Sequence, residues 1–283
     1  MIGAICGDIL GSHYEAFGVK TKDVDLFKYG TFTDDTVMSV AVSQALLLNT
    51  SYKEEMIKLG RFYPLAGYGG MFYRWLHEEE STPYGSYGNG SAMRVSPIAW
   101  MIDSEEKVLE EARKCAEVSH NHPEGIKGAQ ASALAVYMAN KGASKDEIRA
   151  RIEEAFNYNL DRKLDDIQPG YKFDVTCQGS VPEAIICFLD SCDYEDTIRN
   201  VISLGGDADT QGAVAGSIAE AYYKHIPEEI LNHCYDKLNL HLLRLISEFT
   251  EKYNKKMDKL VKYKIDEIYS TGKDDFEELE LTD

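Results

Sequence analysis

Helical periodicity dominates the sequence and restricts the possible folds more than any other feature. Apolar residues recur at spacings of three, four and seven, the pattern of helices with one buried face. This pattern occupies residues 37–48, 108–118, 129–139, 148–156, 181–189, 213–223 and 230–246. Residues 170–177 come closest to the alternation of a β-strand, but they are short and isolated. The chain is therefore predicted to be all-α.

Glycine and proline separate the predicted helices, at 64–70, 83–90 and 169–170 and at single positions that include Pro182. No breaker forms a long linker, so residues 1–265 are predicted to be a single helical domain. Residues 266–283 are rich in Asp and Glu and are predicted to be a solvated acidic C-terminal tail, to which we assign no role.

The formal net charge of −18 leaves no basic stripe for a phosphate backbone, so general nucleic-acid binding is not expected. Six cysteines are scattered without a C-x-x-C pair, as expected for small buried residues in a reducing compartment. No apolar stretch approaches the ~20 residues of a membrane span. The start of the sequence lacks the basic and apolar regions of a signal peptide. These features predict a cytoplasmic protein that does not contact membranes.

Two clusters of carboxylates and hydroxyls lie far apart in the sequence, each at the start of a predicted helix. One is Thr-Asp-Asp-Thr at 33–36, and the other is Gly-Gly-Asp-Ala-Asp-Thr at 205–210. Hard oxygen ligands without His or Cys suit Mg²⁺ or Mn²⁺ rather than Zn²⁺. Two such clusters favour a two-metal site that holds neighbouring oxygens of one substrate. The alternative is that these residues only cap their helices.

The first apolar segment, residues 2–17, contains two acids. Asp8 and Glu15 are seven residues apart, which places them on one face of a continuous helix. Buried acids at this spacing need metals or backbone donors as partners. The alternative is a half-exposed helix with two solvated acids.

A glycine-rich loop at residues 84–94 has three glycines, small hydroxyls and two tyrosines before a predicted helix that runs to Trp100. Free backbone amides at a helix start can cradle an anion such as a diphosphate. The loop matches neither the P-loop nor the dinucleotide fingerprint, and it can also be only a loop. His120 and His122 follow later, and we expect a role beside substrate rather than zinc binding, because no further ligand has a fitting spacing.

Together these motifs resemble the ADP-ribosylglycohydrolases. Five segments occur in the order of that family, at residues 7–15, 33–36, 85–94, 119–120 with 128–129, and 206–210. The resemblance implies a compact orthogonal multi-helix bundle. It also implies a hydrolase that removes ADP-ribose from a modified protein side chain or a small ADP-ribosyl compound by cleaving the glycosidic bond at C1″ of the distal ribose.

The resemblance also implies roles for individual residues. It gives two Mg²⁺ (or Mn²⁺) ions, with Asp209 as the bridge, and the ligands Thr33, Asp34, Asp35, Asp207, Asp209 and Thr210. Substrate binding falls on Gly85, Ser86, Tyr87, Gly88, Asn89, Gly90 and His120. Glu15 is the first choice for the catalytic carboxylate, and Asp207 is the second.

Two other functions remain open from the sequence. A two-metal phosphohydrolase would use the same ligands, but it would normally have a phosphate-binding cation near the metals, for which only Arg94 is a candidate. A non-catalytic ADP-ribose-binding relative would be expected to have lost metal ligands, all of which are present here. The linkage that is cleaved, to arginine, serine, acetyl or another acceptor, is also open.

Overall fold

The computed structural model describes residues 1–271, and within this range the all-α prediction is confirmed. Fifteen α-helices and two short 3₁₀ turns make up the regular structure of these residues. The helices are α1 (Ile2–Ser12), α2 (Asp34–Leu48), α3 (Tyr52–Phe62), α4 (Gly70–His77), α5 (Ser96–Met101), α6 (Glu105–Glu117), α7 (Pro123–Asn140), α8 (Lys145–Phe156), α9 (Leu164–Ile167), α10 (Cys177–Leu189), α11 (Tyr194–Leu204), α12 (Ala208–Tyr223), α13 (Glu228–Tyr235), α14 (Leu240–Tyr253) and α15 (Lys255–Thr271).

Two helix boundaries differ from the prediction. Residues 230–246 form parts of two helices, α13 and α14, because the Asn239 side chain accepts a hydrogen bond from the Leu242 amide (2.9 Å) and starts a new helix there. Pro182 does not break the chain but lies inside α10. The residues on both sides of Pro182 are buried, and the backbone hydrogen bond that proline cannot donate is a local cost of this position.

The predicted first helix is also shorter than expected. Helix α1 ends at Ser12, and Glu15 begins a separate 3₁₀ turn, Glu15–Phe17. Asp8 and Glu15 therefore do not lie on one continuous helix face, although the turn still brings Glu15 back to the cavity described below.

Helices α1 and α12 form the centre of the fold and touch through their backbones. Every residue of α12 from Ala208 to Ala221 is buried. A Cβ atom placed on Gly7 would lie 2.0 Å from the Gly212 carbonyl oxygen, and one placed on Gly3 would lie 2.3 Å from that of Gly216. Glycine at these positions allows the close approach of the two helices.

Buried hydrogen bonds anchor the other end of this helix pair. The Glu220 carboxylate in α12 accepts from the Met1 amino group and from the Gly3 amide, both at 2.8 Å. Its second oxygen accepts from the Asn254 side-chain amide at 2.9 Å. The charged pair is thus fully hydrogen-bonded, which a buried ion pair requires.

The C-terminal boundary of the domain stays a prediction. Helix α15 runs to Thr271, past the expected end of the domain at residue 265, and residues 272–283 of the predicted tail lie outside the described residues. Of the six cysteines, all but Cys192 are buried. None of the helices in residues 1–271 has the length and apolar character required to cross a membrane.

Candidate active site

The starts of α2 and α12 meet at one cavity. Thr33 is the N-cap of α2, and its hydroxyl accepts a hydrogen bond from the Asp35 amide at 3.3 Å. From the first turn of α12, the Thr210 hydroxyl donates to Asp35 Oδ2 at 3.2 Å. The capping alternative is therefore incomplete: Thr33 does cap its helix, but the two distant clusters also touch each other.

Six carboxylates converge at this place. Ligand oxygens of Asp8, Asp35 and Asp209 all lie within 4.8 Å of one another, and the same holds for Glu15, Asp207 and Asp209. Asp209 belongs to both groups, the position that a bridging ligand would need. Asp34 lies on the cavity wall, and its Oδ1 is 3.9 Å from a Cβ atom placed on Gly67.

Hydrogen bonds distinguish Asp8 from its neighbours. Asp8 is fully buried and accepts from the backbone and hydroxyl groups of Thr33 and Thr36, at distances between 2.5 and 3.1 Å. Asp8 therefore fixes the start of α2 against α1. From the sequence, Asp8 could be predicted only as a buried acid in need of a partner.

Asp35 has the opposite environment. Its Oδ1 atom is buried and has no hydrogen-bond partner among residues 1–271. An unpaired buried carboxylate oxygen is costly unless a cation or donor occupies the adjacent space. The donor set of carboxylates and hydroxyls at this point fits hard divalent cations.

The carboxylates also perturb one another. Burial, together with the charges of Asp209 and Asp8, raises the pKa of Asp34 from 3.8 to about 8. Burial and Asp209 likewise raise the pKa of Asp8 to about 7 and shift the pKa of Asp35 and Asp207 well above the usual value. Glu15, which is half-buried, has its pKa raised by the same two causes. So many acids in one place need bound positive charge or protons.

The cavity has a volume of about 430 Å³ and brings together most of the predicted substrate residues. Its lining includes Ser86, Gly88, Asn89, Gly90 and His120 beside all six predicted metal ligands and Glu15. Gly85 and Tyr87 do not line it. The Gly85 amide donates to Asn121 Oδ1 at 2.8 Å, and the Tyr87 ring lies 5.2 Å from that of His122.

The glycine-rich loop is held in place from two sides. The Asn89 amide donates to the Val175 carbonyl (2.8 Å), and the Cys177 amide donates to the Tyr87 carbonyl (2.9 Å). The Asn89 side-chain amide donates to Asp207 Oδ2 at 2.7 Å, which links the loop to the carboxylates. A 3₁₀ turn, Asn89–Ser91, lies within the loop, and α5 begins at Ser96, two residues after the loop ends.

A second glycine segment faces the same cavity. It was predicted from the sequence only as a break between helices. Gly67, Gly69 and Gly70 all line it, and α4 begins at Gly70. Cβ atoms placed on Gly69 and Gly70 would meet nothing within 4 Å, so the backbone there borders open space. The signal in the sequence was the run Gly-Tyr-Gly-Gly immediately before an amphipathic helix.

His120 lies beside the glycine-rich loop and forms a hydrogen bond with the Ser119 hydroxyl. Its Nδ1 atom is 2.8 Å from Ser119 Oγ, and Ser119 Oγ accepts from Arg94 at 3.0 Å. Burial, with a smaller effect of the Arg94 charge, holds the pKa of His120 well below its usual value. The imidazole is therefore neutral near pH 7.

Comparisons with known proteins identify the family of this chain. The family model described as ADP-ribosylglycohydrolase matches residues 1–259. Human ADP-ribosylhydrolase ARH3 is 28% identical, over 83% of this chain and 87% of that protein. The ADP-ribosyl-[dinitrogen reductase] glycohydrolase of Rhodospirillum rubrum is 26% identical, over 78% of this chain and 83% of its own length.

A solved structure supports the fold. A chain of an ADP-ribosylglycohydrolase-related protein complex superimposes with a TM-score of 0.69 and covers 91% of this chain and 97% of its own. Its sequence identity is 23%, so this likeness concerns the all-helical architecture alone.

Proposed function

The chain belongs to the ADP-ribosylglycohydrolase family, and we propose that it hydrolyses the bond between C1″ of the distal ribose and an acceptor group. The hydrolysis of ADP-ribosyl compounds follows from the family. We propose in addition which bond is cleaved, which metals are bound and which residues take part. The observation that carries it is the meeting of both helix-start clusters with Glu15 and two glycine segments in one cavity.

Two Mg²⁺ or Mn²⁺ ions would be held by six ligands, which are Thr33, Asp34, Asp35, Asp207, Asp209 and Thr210. The unpaired Oδ1 of Asp35 and the burial that raises the pKa of Asp34 support this, because buried, clustered carboxylates need bound positive charge or protons. Bound there, the ions would fix vicinal hydroxyls of the ribose and supply positive charge. Membership of Asp209 in both carboxylate groups supports its role as the bridge.

Glu15 is the carboxylate best suited to the chemical step. It lines the cavity beside Asp207 and Asp209, yet it lies on a short turn rather than at a helix start. In the proposed reaction the water oxygen bonds to C1″ as the bond to the acceptor breaks. Glu15 accepts the water proton, the departing acceptor takes up a proton from solvent, and Glu15 then returns its own proton to solvent, so that the number of protons is unchanged. A nearby carboxylate also stabilises the oxocarbenium-like charge of such a transition state.

Asp207 is the second choice for the same role. One of its oxygens, Oδ2, is already occupied by the 2.7 Å hydrogen bond from Asn89. This bond fixes the orientation of the carboxylate, which suits a metal ligand better than a group that must accept a proton.

The remaining lining fits the rest of ADP-ribose. Small residues of two segments border the cavity and allow a diphosphate to approach the backbone closely. They are Gly67, Gly69 and Gly70 in one segment, and Ser86, Gly88, Asn89 and Gly90 in the other. Phe72, Tyr84 and Val175 give the cavity apolar walls, on one of which an adenine ring can pack. An ADP-ribosylated protein or a small ADP-ribosyl compound is thus the expected substrate.

A two-metal phosphohydrolase is less well supported. Arg94 was its candidate phosphate ligand, but the Arg94 guanidinium donates to the Cys115 carbonyl and to Ser119 Oγ, both at 3.0 Å. A cation committed to two protein acceptors is poorly placed to hold a transferred phosphoryl group.

The test is to incubate the protein with arginine-, serine- and acetyl-linked ADP-ribose, each with and without EDTA, and to separate the products. We expect intact ADP-ribose to be released from at least one substrate, and only without EDTA. Release of AMP or inorganic phosphate would indicate a phosphohydrolase instead. Tight ADP-ribose binding without turnover of any substrate would indicate a non-catalytic relative.

A further inference from the structure

Three buried side chains form a hydrogen-bonded chain that ends at the cavity. Arg94, Ser119 and His120 are 1%, 0% and 5% exposed. Arg94 Nη2 donates to Ser119 Oγ at 3.0 Å, and Ser119 Oγ lies 2.8 Å from His120 Nδ1. Arg94 has no acidic partner in the part of the chain that the structure describes, so its charge is not neutralised by a neighbouring carboxylate.

The donors and acceptors in this chain determine the direction of each hydrogen bond. A guanidinium only donates, so Ser119 Oγ is the acceptor from Arg94. If His120 Nδ1 also donated to Oγ, the buried Ser119 hydroxyl hydrogen would have no acceptor among residues 1–271. The hydroxyl therefore donates to Nδ1. A neutral imidazole that accepts at Nδ1 carries its hydrogen on Nε2.

The Nε2 atom of His120 faces the underside of the glycine-rich loop. Cβ atoms placed on Gly90 and Gly88 would lie 3.3 and 3.6 Å from it. Within residues 1–271, Nε2 has no hydrogen-bond partner, and His120 lines the cavity. The rings of Phe72 and Tyr84 stand 6.3 and 5.9 Å from the imidazole and flank it with apolar surface.

We propose that Arg94 and Ser119 are positioning residues that hold His120 as the Nε2–H tautomer, so that it presents a hydrogen-bond donor, and no acceptor, to a substrate oxygen under the glycine-rich loop. The identity of that substrate rests on the proposed function. The assignment of the tautomer rests only on the hydrogen bonds of Arg94, Ser119 and His120. An oxygen that only accepts, such as one of a diphosphate, matches this donor. A substrate group that must donate would find no acceptor there.

The tautomer is measured directly by NMR on protein labelled with ¹⁵N-histidine, free of substrate, at pH 7. The His120 resonances are identified by their loss in His120→Phe. We expect a pyridine-like Nδ1 and a pyrrole-like Nε2 carrying the proton. An Nδ1–H tautomer or an imidazolium would overturn the inference. Because the experiment needs no substrate and no turnover, its result is independent of whether the proposed function is correct.

Variants of Ser119 test the relay. In Ser119→Ala we expect both tautomers to be populated, and the Kd for ADP-ribose, measured by calorimetry, to rise about twofold at equal populations, because only the Nε2–H form can donate to the substrate. A single retained tautomer would show that Ser119 does not set it. The matched control is Ser132→Ala, because the Ser132 hydroxyl is also buried but has no hydrogen-bond partner. It should leave both readouts unchanged.

A double-mutant cycle separates positioning from a general structural effect. If Ser119 acts through His120, Ser119→Ala should leave the Kd unchanged in the His120→Phe background. An equal rise of the Kd in both backgrounds would overturn the relay. Arg94→Lys keeps a donor toward Ser119 and should retain the single tautomer, whereas Arg94→Met should release it. Thermal unfolding of each variant identifies those that fail to fold. The tautomer measured in the wild-type protein does not depend on these variants and still tests the proposal.

Discussion

Replacing Gly7 by alanine tests whether the α1–α12 contact holds the carboxylate cluster together. A Cβ atom on Gly7 would lie 2.0 Å from the Gly212 carbonyl oxygen, whereas ordinary contact begins at 3.4 Å. The reciprocal distance, from a Cβ atom on Gly212 to the Gly7 oxygen, is 2.4 Å. Since the opposing atoms are backbone, no side chain can rotate away. The two helices must separate by about 1.4 Å to restore ordinary contact.

The expected loss of stability follows from two opposing effects. Overpacking of a rigid contact costs about 3 kcal/mol or more, and alanine regains about 1 kcal/mol of helix propensity over glycine. The net loss is about 2–3 kcal/mol, which for a chain of this size lowers Tm by roughly 5–10 °C. The same separation moves Asp8 away from Asp209, because these residues lie one and three positions from the contact. Metal affinity should therefore fall as well.

Thermal unfolding and Mg²⁺ titration of Gly7→Ala provide the measurements, with Gly60→Ala as the matched control. Gly60 is also buried within a helix, α3, but its Cβ atom would meet only the Leu76 side chain, at 2.6 Å or more. That side chain can shift, so the stability change should stay within about 1 kcal/mol. If Gly7→Ala matched the wild type in both Tm and metal affinity, the helices would not be in backbone contact, and our account of the site would be wrong.

Four further predictions concern the site itself. EDTA should abolish turnover and Mg²⁺ or Mn²⁺ should restore it, because the converging ligands are hard oxygens; full activity of metal-free enzyme would exclude the two-metal model. Asp34→Ala and Asp209→Ala should remain folded by circular dichroism but lose activity, with Asp209→Ala the worse; near wild-type kcat in either removes that residue from the ligand set. Glu15→Gln should lower kcat by about 10²–10⁴-fold with little change in calorimetric ADP-ribose affinity; a parallel loss of affinity would make Glu15 a binding residue. Because folding raises the pKa of Asp34 from 3.8 to about 8, metal-free protein should lose stability as the pH rises from about 4 through 8, and Mg²⁺ should reduce this loss; urea unfolding at several pH values measures it, and a stability that rises with pH would contradict the raised pKa.

The helices could be predicted from the sequence because their apolar periodicity and N-caps are local. The same pattern wrongly predicted one helix over residues 230–246. The apolar spacing there continues across the end of α13, and the Asn239 cap starts a new helix. The glycine segment at 67–70 was missed for a related reason. Glycine signals a break in a helix wherever it occurs, and only the tertiary arrangement shows that this break borders the cavity.

Hydrogen-bond geometry supplies what the sequence could not: a physical distinction among acids that look alike. Both oxygens of Asp8 accept hydrogen bonds from Thr33 or Thr36, so this carboxylate is satisfied without a metal. Asp35, only a few ångströms away, has an oxygen with no partner among residues 1–271. Two buried carboxylates in one cluster thus have opposite needs. The satisfied one holds α1 against α2, and the unsatisfied one is open to a cation. This difference supports a ligand set without Asp8, as the resemblance implies.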